Sequence, residues 1–175
     1  RIEQEVEQLN ELISQLLTLS RLNSQQLHPA RSDFDLLTIV EAVVADADFE
    51  SQERGCKVRL IRGQPSVVNA VEPLLRSAIE NVLRNAIAYT ARGTAVEVEV
   101  TQRGDTAEPQ AVVSVRDQGP GVPEEHLPAI FEPFRRVEAA RDRGRGGVGL
   151  GLAIAARAVA VHGGTIRASN ASKGG

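Results

Sequence analysis

The sequence predicts an α+β fold, a two-layer α/β sandwich preceded by a coiled-coil helix. Apolar residues recur at helical spacing in 1–24 and again in 72–89, which indicates helices with one buried face. Valines alternate with glutamates at 96–101, the pattern of a half-buried strand. A second apolar strand, 112–115, follows a short loop, so we expect an antiparallel pair. Helices interleaved with antiparallel strands are typical of this fold class.

The composition is that of a folded globular chain. Its 175 residues are 42% hydrophobic and 25% charged, with a net charge of −3, which excludes the disordered class. The single cysteine, Cys56, excludes an internal disulfide and a cysteine-based zinc site. Four Phe, one Tyr and the slightly acidic balance argue against a nucleic-acid partner. Because the chain has no Met and begins with Arg1, we expect a fragment of a longer protein.

Residues 1–24 are predicted to form one helix about 36 Å long. Its glutamates lie outside the apolar seam, and the segment contains no Gly or Pro. A seam of this kind favours partner helices in a bundle or a dimer. The alternative is that the helix packs on its own domain. The seam residues are Ile2, Val6, Leu9, Ile13 and Leu16.

The remaining elements follow from apolar periodicity and from Gly and Pro. Residues 25–32 are predicted as a linker around Pro29. Asp33 or Asp35 is expected to cap a helix that ends before Gly55. The further predictions are that helix at 36–53, strands at 58–61 and 66–69 around a turn at Gly63, helices at 72–89 and 148–162, a helical patch at 124–130, strands at 96–101 and 112–115, and the start of a strand at 165–169.

Two asparagines form the first candidate site. Asn81 and Asn85 are four residues apart in the predicted helix 72–89, a spacing that puts both amides on one face. Asn is a poor helix former, and its amide oxygen is a hard neutral ligand that suits Mg²⁺. The alternative is a pair of solvated or capping amides.

The second candidate site is the turn that follows strand 112–115. That strand leads to Asp117, and Gly119 and Gly121 then let the backbone approach a ligand closely. A carboxylate only accepts hydrogen bonds, so Asp117 suits the exocyclic amine of adenine and rejects the carbonyl of guanine. A plain turn after a strand is the alternative.

The third candidate site is the glycine-rich segment 144–152, which leads into helix 148–162. Backbone N–H groups and the positive end of a helix favour anions. A dinucleotide-binding fold is excluded because 141–143 is not a buried strand and Ser169-Asn170 stands where an acid is required. A phosphate loop of the Walker type is excluded because no Gly-Lys-Ser/Thr follows. The arginines before this segment indicate a phosphate-attracting lid or a solvated loop, and a flexible linker is the alternative for the glycines.

Taken together and in this order, these features resemble the N, G1, F and G2 boxes of sensor histidine kinases, with Phe-Glu-Pro-Phe at 131–134 as the F box. The resemblance covers about 1–175. It implies that 1–24 is the second half of a dimerisation hairpin, that 25–32 is a linker and that 33–175 is an ATP-binding domain lacking its last strand. Residues 135–143 resemble the envelope-stress subgroup of these kinases.

The resemblance implies the ATP-binding sandwich shared with gyrase and Hsp90, with ATP and Mg²⁺ as ligands. Asn85 would bind Mg²⁺, Asn81 would lie beside the phosphates, Tyr89 would flank adenine and Asp117 would hold its amine. Gly119 and Gly121 would shape the base pocket. The triphosphate would be approached by the lid residues Arg136 and Val137, with Phe131 and Phe134 as anchors, and by Gly146, Gly147, Val148, Gly149, Leu150 and Gly151.

The chain departs from the family pattern in two ways. Ala88 stands where the family often has Lys or Arg, so one phosphate contact would fall to Arg84 or Arg136. The phosphoacceptor histidine is expected in a helix before residue 1. The three histidines of this chain, His28, His126 and His162, are interpreted as surface or helix-end residues.

The residues favour phosphoryl transfer to histidine over hydrolysis. ATP hydrolases of this fold carry a Glu base on the asparagine helix, whereas this chain has Asn81 there and Glu80 is turned about 100° away. The expected partners are the phosphoacceptor helix of the same or a second protomer and a response regulator, with a homodimer and an inner-membrane sensor in the full-length protein and this portion in the cytoplasm. The alternatives are a hydrolytic ATPase, a serine kinase of the anti-sigma type and a non-catalytic nucleotide-binding module.

Overall fold

The computed structural model describes residues 2–23, 30–104, 109–135 and 148–171. The predictions for His28, Arg136, Val137, Gly146 and Gly147 therefore lie outside the described residues. None of the described helices combines the length and apolar character that crossing a membrane requires.

Helices and strands alternate along the chain, which confirms the predicted α+β class. The helices are α1 (Ile2–Asn23), α2 (Leu36–Ser51), α3 (Glu72–Tyr89) and α4 (Gly151–Val161), and the strands are β1 (Ser32–Asp35), β2 (Lys57–Gly63), β3 (Val67–Ala70), β4 (Ala95–Arg103) and β5 (Gln110–Arg116), with 3₁₀ turns at Gln52–Arg54 and Glu124–Ala129.

The strands form two sheets. In the larger sheet, β2 pairs in parallel with β4, and β4 pairs antiparallel with β5. The smaller sheet consists of β1 and β3, paired antiparallel. The predicted β4–β5 pair is confirmed. The strands predicted on either side of Gly63 lie in different sheets. β2 continues to Gly63 in the larger sheet, whereas β3 belongs to the smaller one, and the chain then returns through α3 to β4.

The core lies between the larger sheet and helices α2 and α3. Val96, Val98 and Val100 of β4 are fully buried, and they pack in one cluster with Ile79 and Leu83 of α3. Burying a side chain of this size contributes roughly 1.5–3 kcal/mol. The valine–glutamate alternation in the sequence therefore fixes which face of β4 meets α3.

Two predictions for the C-terminal region are wrong. Helix α4 begins at Gly151, not at 148, because Gly149 adopts a φ of +84°, which no right-handed helix accommodates. The strand predicted at 165–169 is absent, since 164–171 has no regular secondary structure. This segment is held instead by Asn170, whose side chain accepts from Val122 N–H at 2.9 Å and donates to Val122 O at 2.7 Å.

The C-terminal end of α1 packs on the rest of the chain. Leu19 and Leu22 are buried in a cluster with Leu150 and Ile154, and Arg157 Nε donates to Leu22 O at 3.0 Å. Packing on its own domain, the alternative left open above, therefore applies to this end of the helix. About half of each of four other α1 side chains remains exposed, namely Val6, Ile13, Leu16 and Leu17, and partner helices for them stay a prediction.

Asp35 is the helix cap, one of the two candidates named from the sequence. Its Oδ1 accepts from Leu37 N–H at 3.0 Å, at the start of α2, and from Ser66 N–H at 2.7 Å. Because Asp35 also ends β1, one carboxylate joins the smaller sheet to α2. β1 itself was not predicted, and its first residue, Ser32, lies in the predicted linker.

We predict that Asp35→Ala lowers the free energy of unfolding by about 2 kcal/mol, because it removes a helix cap and leaves two N–H groups without their acceptor. Urea unfolding followed by circular dichroism measures this change. Asp33→Ala is the matched control, since among the described residues the Asp33 carboxylate binds the exposed Asn69 amide, and it is expected to change stability by less than about 0.5 kcal/mol. Equal effects of the two substitutions would contradict the role of Asp35.

His162 connects the end of α4 to the start of α3. Its Nδ1 lies 2.7 Å from Ala158 O, and its Nε2 accepts from Val71 N–H at 2.9 Å. Val71 precedes α3 and has no side-chain cap of its own. The ring therefore carries its proton on Nδ1 and fills an acceptor role at the start of α3.

Replacing His162 by Ala is expected to cost about 1–2 kcal/mol of stability, because the buried Val71 N–H loses its acceptor. His126 is exposed, so His126→Ala serves as the control and should leave the urea midpoint unchanged. A His162→Ala chain as stable as the control would show that the Val71 contact contributes nothing.

Candidate functional site

A large open cavity of about 2610 Å³ lies beside α3 and β5. Asn85 and Tyr89 of α3 and Asp117, Gly119 and Gly121 from the turn after β5 all line it. Five residues predicted as nucleotide contacts thus surround one space. The volume exceeds the 300–1,000 Å³ of ordinary ligand pockets, because the cavity continues along β5 and beneath 163–171.

Helix α3 brings its polar residues to this cavity by burying its opposite face. Leu83, Ala86 and Ile87 pack into the core, so Asn85 and Tyr89, one turn apart, are left half-buried at the cavity wall. The Asn85 side chain makes no hydrogen bond to another described residue. Its amide oxygen is therefore available, and it is a donor type that suits Mg²⁺. No cluster of three His, Cys, Asp or Glu side chains suited to a metal exists among the described residues.

Asn81 lines a different cavity from Asn85. Its Nδ2 donates to Ser77 O at 2.8 Å, and a methyl group on Gly151 would lie only 2.9 Å from its Oδ1. Asn81 lines a second cavity of about 230 Å³ between α1 and α3, together with Thr18, Glu80 and Arg84. The two asparagines, one turn apart on α3, therefore line different cavities, and a phosphate contact for Asn81 stays a prediction.

The turn after β5 holds Asp117 at the open end of the strand. Asp117 Oδ1 accepts from Gly119 N–H at 2.7 Å, which leaves its second oxygen for a ligand. A methyl group on Gly119 would lie 2.8 Å from Tyr89 O, so only glycine permits this close approach to the end of α3. Gly121 has a φ of +75° and adjoins the Asn170 side chain.

Two residues that flank the predicted lid are hydrogen-bonded to each other. Phe134 N–H donates to Gly149 O at 2.9 Å, and a methyl group on Gly149 would lie 3.0 Å from Arg135 O. Phe131 lines the large cavity, whereas Phe134 is 58% exposed. The described residues on either side of 136–147 are therefore in contact with each other.

The glycine turn presents main chain rather than side chains to a ligand. Leu150 is fully buried in the cluster with Leu19 and Leu22, so only its backbone is left for the predicted ATP contact. Val148 is exposed, and Gly151 opens α4 beside Asn81. Since Leu150 supplies no side-chain cap, the first N–H groups of α4 form a positive helix end that favours anions.

Sequence reasoning missed several polar residues at the cavity, and two of them bind the chain that follows β5. Thr90 and Asn170 both line the cavity; the Thr90 hydroxyl accepts from Gln118 N–H, and Asn170 holds Val122. The only available signal was a threonine next to the end of the predicted helix at Tyr89. For Asn170 no signal existed, because its partner is 48 residues away.

Comparison with known proteins supports the same fold. The family model described as histidine kinase-, DNA gyrase B- and HSP90-like ATPase matches residues 70–175. Sensor-like histidine kinase SenX3 of Mycobacterium tuberculosis is 35% identical over 171 residues, which cover 93% of this chain and 39% of SenX3. The chain thus spans about two fifths of the length of this relative.

Solved structures of sensor kinases have the same fold. The mycobacterial sensor histidine kinase MprB has a TM-score of 0.67 at 27% identity, covering 79% of this chain and 84% of that structure. Full-length ShkA in complex with AMPPNP has a TM-score of 0.71 at 27% identity, covering 89% of this chain and 31% of ShkA. The chain therefore belongs to the family of histidine kinase-, DNA gyrase B- and HSP90-like ATPases.

Proposed function

We propose that this chain is the ATP-binding kinase portion of a sensor histidine kinase, which transfers the γ-phosphoryl group of ATP to a histidine on a dimerisation helix for relay to a response regulator. The observation that carries the proposal is the single cavity that unites Asn85 of α3 with Asp117 and its glycines. The similarity to SenX3 and MprB, both named as histidine kinases, supports it.

Asp117 would select the base. Its free carboxylate oxygen accepts a hydrogen bond from the exocyclic amine of adenine and offers no donor to a carbonyl. Tyr89 and Gly119, which meet at the end of α3, would bound the base on that side. The likeness to ShkA, solved with the ATP analogue AMPPNP, favours a nucleoside triphosphate over other anions.

Asn85 would hold Mg²⁺ through its amide oxygen. The ion would supply charge neutralisation for the phosphate oxygens. The N–H groups at the start of α4 and the lid residue Arg136 would add positive charge on the same phosphates. Transfer breaks the bond between the γ-phosphorus and the bridging oxygen and forms a phosphorus–nitrogen bond to the imidazole, with ADP leaving.

The position of Glu80 favours transfer over hydrolysis. A hydrolase requires a base that faces the reacting water, whereas Glu80 is exposed and lines the smaller cavity with Asn81. Asn81 itself accepts no proton at neutral pH. The nucleophile would come from a histidine helix of the same or a second protomer.

The partly exposed seam of α1 supports a homodimer, with α1 as half of its helical hairpin. We further propose that the full-length protein is an inner-membrane sensor and that this portion lies in the cytoplasm.

Asp117→Asn is expected to weaken ATP binding about 10- to 100-fold, because a charge-assisted hydrogen bond to the amine is lost. Titration calorimetry with Mg-ATP measures the affinity, and thermal unfolding without nucleotide should be unchanged. Asp33→Asn, on β1, is the matched control and should bind ATP as the unmodified chain does. Unchanged affinity in Asp117→Asn would remove Asp117 from the site.

We expect that the 175-residue chain binds Mg-ATP without labelling itself, and that it phosphorylates a separate polypeptide carrying the histidine helix of a related sensor kinase. Incubation with γ-labelled ATP, with and without that polypeptide, measures both. Robust self-labelling would contradict the proposal. Steady phosphate release without a histidine partner would indicate the hydrolytic alternative, and no ATP binding at millimolar concentration would indicate the interaction module.

A further inference from the structure

Thr90 is placed to fix the position of Asp117, although Thr90 is not itself one of the predicted nucleotide contacts. It directly follows α3, and its N–H donates to Ala86 O at 2.8 Å, which fixes its backbone to the helix. Its hydroxyl oxygen accepts from Gln118 N–H at 3.1 Å. Ala91 N–H donates to Gln118 O at 3.3 Å. Both backbone groups of Gln118 are therefore bound by two consecutive residues at the end of α3.

A second threonine fixes the direction of these hydrogen bonds. Thr94 Oγ1 donates to Ala91 O at 2.5 Å, and the hydroxyls of Thr90 and Thr94 lie 3.0 Å apart. A hydroxyl has one proton. Since the Thr94 proton is used on Ala91, Thr90 donates to Thr94 while it accepts from Gln118. The bonds form a closed ring of Gln118, Thr90, Thr94 and Ala91.

The ring acts on Asp117 because Gln118 is its neighbour. Asp117 is exposed, and the one described group that holds its carboxylate is Gly119 N–H, at 2.7 Å. Gly119 in turn lies against Tyr89 O. The conformation of 117–119 is thus set by its contacts with the end of α3, the same helix that carries Asn85.

We infer that Thr90, supported by Thr94, is a positioning residue that aims the free oxygen of Asp117 and thereby determines the preference for a base with an exocyclic amine. The inference rests on the proposed ATP-binding function. Without the Thr90 hydroxyl, Gln118 N–H loses its acceptor and the backbone of Gln118 is held to the end of α3 through its carbonyl alone. The turn then varies more in conformation, so the carboxylate meets the amine in a less fixed geometry.

The test compares ATP with purine riboside triphosphate, which lacks only the amine. The full chain should bind ATP about 10- to 100-fold more tightly than the analogue, the difference expected for one charge-assisted hydrogen bond. In Thr90→Val, which keeps the shape but not the hydroxyl, we expect this ratio to fall to about threefold or less. The loss should occur in ATP affinity, with the analogue nearly unchanged.

Thr90→Ser is the rescue variant and should restore the ratio of the unmodified chain. Thr94→Val removes the acceptor of the Thr90 proton but leaves Thr90 able to accept from Gln118, so its ratio should be intermediate. A purely structural role of Thr90 would weaken both nucleotides equally and leave the ratio unchanged, which would overturn the inference. An unmodified chain that binds ATP no more tightly than the analogue would instead overturn the proposed role of Asp117.

Discussion

The site depends on the burial of one face of α3 against the valines of β4. That contact holds Leu83 and Ile79 beside Val96 and Val98, and it thereby sets how the helix is rotated. With the rotation fixed, Asn85 and Tyr89 line the large cavity, and the turn that carries Asp117 contacts the end of the helix. The two ends of a bound nucleotide would meet side chains whose separation is set by one rigid helix.

Helix α3 also packs against α4, which connects the glycine turn to α1. Leu150 directly follows the left-handed Gly149 and is fully buried beside Leu19 and Leu22. A change in the glycine turn therefore cannot move Leu150 without disturbing the packing of α1, because close-packed side chains transmit displacement. Arg157, which donates to Leu22 O, holds the two helices together about two turns further along α4.

The sequence predicts elements well where a periodic pattern is long, and poorly where pairing is remote. The bounds of α3 were predicted to the residue, since eighteen residues carry a clear apolar face. β1 was missed because its four residues, Ser-Asp-Phe-Asp, alternate too briefly to signal a strand. The parallel pairing of β2 with β4 has no local signature at all. At the site, the Asp117 turn followed from its glycines, whereas the Thr90 ring depends on backbone partners 28 residues apart.

Asn81 and Asn85 lie one turn apart on α3 yet line different cavities, which shows why helical spacing alone does not define a site. Residues four apart differ by about 40° around a helix, which is a small angle until a neighbour approaches. Here α4 approaches at Gly151, whose missing side chain lets it lie against the Asn81 amide, while Ser77 O accepts one of the two amide protons. Asn81 is thereby assigned to the junction of α1, α3 and α4, and Asn85, one turn later, remains beyond that contact and at the cavity wall. The Asn81 amide nitrogen carries two protons, so one remains for a phosphate while the other is bound to Ser77 O. Because Gly151 lies against the same amide, any such contact would be coupled to the position of the glycine turn that begins α4.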